Sequence, residues 1–321
     1  MGNNNLSSTS VLTIFPTGKQ PSGAAFSNVE SKIFVANTGA PSLSIIKKIK
    51  KSDGSFVFSK MDDIPMPSAV SMITCSPTDP VAFIFSQELG ETYIFNTSTS
   101  QITDTTVGAR AFAFSPDGQK VYLNEKSMVL ALGPDTSLLN VISPDVDPDV
   151  GLAFLPNGRK AYVGGNALDN TGYGLAVIDA INDKQISRIT GTGSNFGFLG
   201  KVAASNDGKK VYATLESGII VIDTASDAVV SKIFDSQQFD DIVHSQIYPR
   251  LYALSYIEDN ESAVGYLYVF DTTNTGRIVD IIQLGASITG PAIRLATDSD
   301  GLVYATDGDT NTLTILQEQS L

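Results

Sequence analysis

Short segments of alternating or β-branched apolar residues recur along the whole chain, and turn-forming residues separate them. Alternation with period two predicts β-strands, and Asp-Gly or Asn-Gly pairs supply the backbone conformation that tight hairpin turns require. Three segments show this most clearly: SPDGQKVYL from Ser115, LPNGRKAYV from Leu155 and SNDGKKVYA from Ser205. Each joins a turn, a cation and a strand that carries an aromatic residue. The pattern therefore predicts an all-β chain built from repeats.

The aromatic residue of this segment can be followed through the entire sequence. It occurs seven times, at Phe34, Phe83, Tyr122, Tyr162, Tyr212, Tyr252 and Tyr304. The spacings run from 39 to 52 residues, and seven units divide the 321 residues into repeats of about 46. Four short strands in a unit of that length are typical of a propeller blade. We therefore predict a seven-bladed β-propeller with four antiparallel strands, A to D, in each blade.

The last unit contains strands A, B and C but no strand D, and the N-terminus supplies the missing one. Residues 11–18, VLTIFPTG, precede the first strand A and have the β-branched pattern of a strand D. Pairing them with Thr312–Leu316 would close the ring and remove two exposed sheet edges. We expect residues 1–10 to form a disordered tail and residues 11–321 to form one domain.

These units resemble the YVTN-type β-propeller repeat, whose consensus runs SPDG, Lys, VYVTN, a strand that ends in VID, and a β-branched strand. The resemblance is closest in residues 110–125, 150–180 and 200–235, and it is degenerate in 23–100 and 245–321. It implies a propeller architecture across almost the whole chain. It does not imply an activity, because propellers of this kind include cell-surface and binding proteins as well as enzymes.

The charge and composition of the chain exclude several classes of function. The chain has 21 Lys and Arg against 34 Asp and Glu, a net charge of −13, which argues against nucleic-acid and anionic-membrane partners. The single cysteine, Cys75, and single histidine, His244, fall in an apolar column of strand A and are expected to be core residues. We therefore expect no metal site and no cofactor. Residues 1–10 lack the apolar stretch of a signal peptide, and the compartment stays open.

Strand A of every blade faces the central channel, so aligned strand A positions should lie at equal depths. At the end that receives the D–A and B–C loops, charged residues gather at Arg110, Lys201, Asp240, Asp241 and Arg294. One interpretation is a ligand site with three cations and two carboxylates. The other is a set of salt bridges between neighbouring blades, since buried charges usually pair.

Long segments converge on the same mouth. The predicted B–C loops 164–174 and 255–265 and the D–A loop 190–201 are longer than the others. Long glycine-rich loops with aromatic residues over one mouth are typical of a pocket rim. The rim candidates for substrate binding are Asn166, Tyr173, Asn195, Phe196, Phe198 and Tyr256.

Two hypotheses for function follow. The first is a monomeric propeller that binds an anionic or carbonyl-rich small molecule at the charged mouth. In a catalytic form, Arg110, Lys201, Asp241 and Arg294 would act as a metal-free and cofactor-free cyclase, isomerase or lyase, by orienting a substrate and polarising a carbonyl. Asp240 would belong to the binding residues. The alternative is a non-catalytic propeller that binds a protein or a glycan through a broad face.

Overall fold

A computed structural model describes residues 9–109, 111–148, 151–190, 200–234, 237–259, 262–273, 276–287 and 293–318. These residues form strands and turns only. No helix long and apolar enough to span a membrane is found among them. The all-β prediction from the sequence is therefore confirmed.

The chain opens with β1 (Ser10–Pro16) and continues into blade 1. Blade 1 contains β2 (Pro21–Ser27), β3 (Lys32–Asn37), β4 (Ser42–Lys50), β5 (Phe56–Lys60) and the short β6 (Ile64–Pro65). Blade 2 contains β7 (Met72–Cys75), β8 (Val81–Ser86), β9 (Glu91–Asn96) and β10 (Gln101–Val107). Blade 3 contains β11 (Ala111–Phe114), β12 (Val121–Glu125), β13 (Met128–Leu132) and β14 (Leu138–Ile142).

Blade 4 adds a short strand to its four and contains β15 (Val146–Asp147), β16 (Leu152–Phe154), β17 (Lys160–Ala167), β18 (Tyr173–Asp179) and β19 (Lys184–Thr190). Blade 5 contains β20 (Val202–Ala204), β21 (Lys210–Thr214), β22 (Ile219–Asp223) and β23 (Ala228–Ile233). Blade 6 contains β24 (Asp241–His244), β25 (Arg250–Asp259), β26 (Ser262–Asp271) and β27 (Arg277–Ser287). Blade 7 contains β28 (Ile293–Thr297), β29 (Leu302–Asp307) and β30 (Thr312–Gln317), and β1 completes it.

The seven antiparallel sheets form a closed seven-bladed propeller. The first strands of successive blades contact one another around the axis, and β28 returns to β2. Strand β1 pairs with β30 from Ser10 opposite Gln317 to Pro16 opposite Thr312, which is the predicted closure. Thr9 and Ser10, which fall within the predicted tail, belong to the described structure: Thr9 is buried and its hydroxyl forms a hydrogen bond with the Tyr252 hydroxyl at 3.1 Å, and Ser10 begins β1.

The repeated aromatic residue has the same position in every blade. All seven are buried, and each lies opposite a small strand A residue in the antiparallel register. The small partners are Ala25, Thr74, Ala113, Ala153, Ala203, Val243 and Ala296. Directly opposite side chains share one face of a sheet, so a large ring on strand B leaves room only for a small strand A residue. Seven apolar clusters fill the junctions between neighbouring blades.

A lysine at the start of strand B connects each of blades 3, 4 and 5 to the next blade. Lys120 donates to the Ala180 carbonyl at 2.8 Å and pairs with Asp183 at 2.8 Å, and the Tyr122 hydroxyl donates to the same carboxylate. Asp183 and the acceptor carbonyl both belong to the C–D turn of blade 4. We call this arrangement the blade clamp. It satisfies a partly buried ammonium group and ties two sheets together.

The blade clamp recurs at the next two junctions. Lys160 bonds the Thr224 carbonyl at 2.9 Å and Asp227 at 2.7 Å, and the Tyr162 hydroxyl reaches Asp227 at 2.6 Å. Lys210 bonds the equivalent carbonyl, that of Thr272, at 3.0 Å. The sequence SPDG-x-K-x-Y thus encodes a turn, an interblade cation and a buried ring in eight residues.

At the junction of blades 7 and 1 the clamp is inverted. The cation comes from blade 1, where buried Lys48 pairs with Asp298 at 2.6 Å and with Asp300 at 2.7 Å. The Tyr304 hydroxyl donates to Asp298, and the Lys48 ammonium lies 3.7 Å from the centre of the Phe26 ring. This seam therefore holds the two ends of the ring together through a buried ion pair as well as through β1.

Two segments predicted as long B–C loops are extended hairpins instead. Strands β17 and β18 pair as far as Asn166 opposite Tyr173, and β25 and β26 pair as far as Asp259 opposite Ser262. Tyr256 lies within the second hairpin, opposite Gly265. The loop prediction was wrong because cross-strand backbone pairing continues through segments whose sequences carry no alternation.

Deletion of residues 1–18 is expected to remove the fourth strand of blade 7 and expose the edge of β30. The protein should then lose its cooperative unfolding transition or aggregate, because an unpaired edge strand is a template for association. Circular dichroism melting and light scattering measure both effects. Deletion of residues 1–8 is the control, since it leaves β1 intact. A protein lacking residues 1–18 with the melting temperature of this control would contradict the role of β1 in closure.

Asp183→Asn is expected to lower the free energy of unfolding by about 1 to 2 kcal/mol, because the Lys120 ammonium and the Tyr122 hydroxyl lose a charged acceptor. Asparagine is the suitable replacement because Asp183 has a φ of 50°, which asparagine tolerates. Urea denaturation measures the change. The exposed Asp62→Asn serves as the control, and an equal stability of the two variants would show that the clamp contributes nothing.

Candidate functional site

A cavity of about 690 Å³ opens at the channel mouth that receives the D–A and B–C loops. Its wall takes one residue from the same end of strand A in every blade: Gly23, Met72, Ala111, Gly151, Lys201, Asp241 and Arg294. The next residues along these strands are apolar and line it more deeply: Ala24, Ile73, Phe112, Leu152, Val202, Ile242 and Leu295. The cavity therefore has an apolar interior with charges concentrated on the side of blades 5 to 7.

Lys201 is positioned by backbone contacts just before strand β20. Its amide donates to the Thr214 hydroxyl at 2.9 Å, and its carbonyl accepts from the Thr214 amide at 3.0 Å. Gly200 is required beside it, because a Cβ there would clash with the same hydroxyl. Its side chain is half-buried and forms no ion pair or side-chain hydrogen bond with the described residues. Burial lowers the pKa of the ammonium, Asp241 opposes this effect, and Arg294 adds to it.

Asp241 is the carboxylate of the wall, and it also connects two blades. One carboxylate oxygen accepts the Leu295 amide of blade 7 at 2.8 Å, and the other accepts the Ile242 amide at 3.1 Å. The side chain is buried, and these bonds satisfy its charge without a cation. Asp241 therefore provides negative potential beside Lys201 while its oxygens are committed to backbone amides.

Arg294 and Asp240 complete the charged side. The half-buried Arg294 lies opposite Thr306 and exchanges backbone contacts with the Thr306 hydroxyl. Burial raises the pKa of Asp240, whereas the Arg294 charge lowers it and the Asp241 charge raises it. Asp240 is half-buried and not part of the cavity wall, so it acts on the site through its charge.

The other predicted site residues divide into two groups. Asn166, Tyr173 and Tyr256 do not line the cavity, because they belong to the extended hairpins of blades 4 and 6. The tyrosine rings pack against interblade clusters, and Asn166 is exposed. Their role as rim residues for substrate binding stays a prediction. Arg110, Asn195, Phe196 and Phe198 lie outside the described residues.

Several polar wall residues were not singled out from the sequence, Thr38 and Gln87 among them. Thr38 of blade 1 and Gln87 of blade 2 line the cavity, and each follows strand B of its blade directly. The signal that could have identified them is positional, because the residue after strand B always lies at this mouth. They add hydrogen-bonding groups that carry no net charge.

The opposite mouth has a cavity of about 570 Å³ with a different character. Phe114, Phe154 and two prolines contribute to its wall, and His244 lies at its edge. His244 is buried, stacks on Tyr212 with 5.8 Å between ring centres, and has its Nδ1 2.7 Å from the Ser245 carbonyl. Burial lowers the pKa of His244 and raises that of the Cys75 thiol. His244 is therefore a buried residue, and the partly buried Cys75 packs against an apolar cluster.

The described residues contain no group of three or more His, Cys, Asp and Glu side chains arranged to hold a metal ion. Within the part of the chain that the structure describes, the ionisable groups near the first cavity are Lys201, Arg294, Asp240 and Asp241. Such a set can bind and polarise a carboxylate or carbonyl oxygen.

Comparison with known proteins identifies the architecture. No protein-family model matches the chain, and no curated protein matches it. The resemblance to YVTN-type repeats therefore stays a prediction. Among solved structures, Kuenenia stuttgartiensis hydrazine synthase is similar, with a TM-score of 0.72 and 14% sequence identity. The match covers 95% of this chain and 97% of that one. At such low identity the similarity shows the shared fold, and we conclude that the chain is a seven-bladed β-propeller.

Proposed function

We propose that this propeller binds an anionic or carbonyl-rich small molecule in the 690 Å³ cavity at the charged mouth. The volume falls within the range of small-molecule sites, which are typically apolar with a few polar groups that fix orientation. Here the polar groups include Lys201, Arg294, Thr38 and Gln87. We also propose, on the repeated segments in the sequence, that the chain belongs with YVTN-type propellers.

The observation that carries this proposal is the environment of Lys201. An ammonium that served only to connect blades would have partners, as Lys120, Lys160 and Lys48 do. Lys201 instead faces an open cavity, where partial burial lowers its pKa. Asp241, the carboxylate that the described residues contribute to the wall, is bonded to backbone amides. A desolvated cation beside Arg294 favours an incoming anion or the oxygen of a polarised carbonyl.

The same arrangement favours a particular class of chemistry if the ligand is turned over. Lys201 and Arg294 would stabilise negative charge that develops on a carbonyl oxygen, while the apolar interior would hold the body of the substrate. Charge stabilisation and orientation suit a cyclase, isomerase or lyase better than a hydrolase, which needs an activated nucleophile. The alternative, a protein- or glycan-binding scaffold, would favour a narrow channel lined by paired charges. The cavity volume and the environment of Lys201 support the first function.

Lys201→Met and Arg294→Met should each weaken carboxylate binding at least about tenfold, or about 1.4 kcal/mol, because each removes a charge-assisted hydrogen bond donor. The probes are pyruvate, 2-oxoglutarate and benzoate, titrated at low salt by isothermal calorimetry. Lys209→Met is the matched control, since that side chain is 80% exposed and lies outside the cavity. Equal affinity of all three variants, or no binding of any probe to the unmodified protein, would overturn the proposal.

Lys201→Met should also raise the free energy of unfolding at pH 7, by about 1 kcal/mol, because it removes a cation from a desolvating site. The lysine pKa is lowered from 10.5 in the folded protein, so folding disfavours its protonated form. This penalty applies fully below the folded pKa and disappears as the pH rises towards 10.5. The stability difference between the variant and the unmodified protein should therefore shrink between pH 7 and pH 10.

Urea denaturation across this range measures the difference, with Lys209→Met again as the control. A loss of stability in Lys201→Met at pH 7 would show that the lysine is a structural element of the ring. Together with the binding test, a variant that is more stable and binds less would mark Lys201 as a residue kept for function.

A further inference from the structure

We infer that Lys201 forms a reversible covalent imine with a carbonyl group of the ligand in the cavity. This inference rests on the proposed function and specifies it, since it gives the ligand a ketone or aldehyde group and assigns the nucleophile. The established contacts of the other lysines set Lys201 apart. Lys48, Lys120 and Lys160 are held in ion pairs between blades, whereas Lys201 projects into a cavity open to solvent.

The geometry of the cavity supports this chemistry in three ways. Lys201 has no described ion pair or side-chain hydrogen bond that would hold its nitrogen away from a ligand. Asp241 lies on the adjacent blade, but its two oxygens accept backbone amides and it forms no ion pair with Lys201. Val202, Ile242 and Leu295 form the apolar wall next to it, which lowers the local polarity. An amine in such surroundings is more often neutral, and the neutral amine is the nucleophile.

The reaction needs no further reagent. The ammonium first releases one proton to solvent through the open mouth. The neutral nitrogen then bonds to the carbonyl carbon, and the carbonyl oxygen leaves as water with the two remaining nitrogen protons. One C=N double bond replaces one C=O double bond, so atoms and electrons balance and water reverses the step. Arg294 on blade 7 is suited to hold a carboxylate of the same ligand.

The test is reductive trapping of the imine on the full-length protein. Pyruvate or 2-oxoglutarate is added with sodium cyanoborohydride, and digested peptides are mapped by mass spectrometry. The expected label has the mass of the oxo acid minus one oxygen atom, and it should accumulate at Lys201 ahead of the exposed Lys209. Benzoate, which has no ketone, should compete with labelling but should leave no adduct.

Lys201→Arg separates this inference from the proposed function. The variant keeps a cation for carboxylate binding but has no amine that forms an imine, so it should bind the oxo acids and lose the label. Circular dichroism and the melting temperature verify that it folds. Carboxylate binding that depends on Arg294 without a label at Lys201 would overturn the imine and leave the binding function in place. Labelling spread evenly over the exposed lysines would also overturn it.

Discussion

Blades 3, 4 and 5 of this propeller are each tied to the next blade by a lysine that crosses the junction. A strand B lysine bonds a carbonyl in the C–D turn of the following blade, and in two junctions an aspartate there also accepts a tyrosine hydroxyl. The lysine stem and the tyrosine ring pack in the apolar junction while their polar ends meet the turn. Packing alone is non-directional, so these bonds fix how far one sheet can slide or rotate on the next.

That fixed relationship determines the geometry of the channel mouth. Since every strand A is paired in the same register with its strand B, residues of one sequence column lie at one depth around the axis. Charged residues from blades 5, 6 and 7 therefore meet at the cavity wall although the chain separates Lys201 from Arg294 by 93 positions. The proposed binding groups lie in strands or directly next to them, which suits a site that must hold its geometry without a ligand.

The sequence predicted the features that depend on local pattern. The seven aromatic positions, the small residues opposite them, the closing strand and the charged column at the mouth all followed from alternation and repeat spacing. The sequence did not predict the features that depend on pairing between distant residues. Asn166 and Tyr173 belong to a hairpin whose glycine-rich strands show no alternation. The Asp241 carboxylate accepts the Leu295 amide of another blade. The sequence around these two residues does not indicate this hydrogen bond.

The inverted clamp between blades 7 and 1 has a consequence for the number of blades. Lys48 of blade 1 is equivalent to Ala180 of blade 4 and Thr224 of blade 5, because the backbone amide of each bonds the carbonyl of the residue before strand B. At the junctions after blades 3 and 4, the carbonyls of Ala180 and Thr224 accept a lysine. A ring closed after blade 4 or blade 5 would bring Lys160 or Lys210 against Lys48, and juxtaposed like charges are repelled by several kcal/mol. Blade 7 presents Asp298 and Asp300 at this place instead. Electrostatic complementarity at this junction thus favours closure after blade 7 over closure after blade 4 or blade 5.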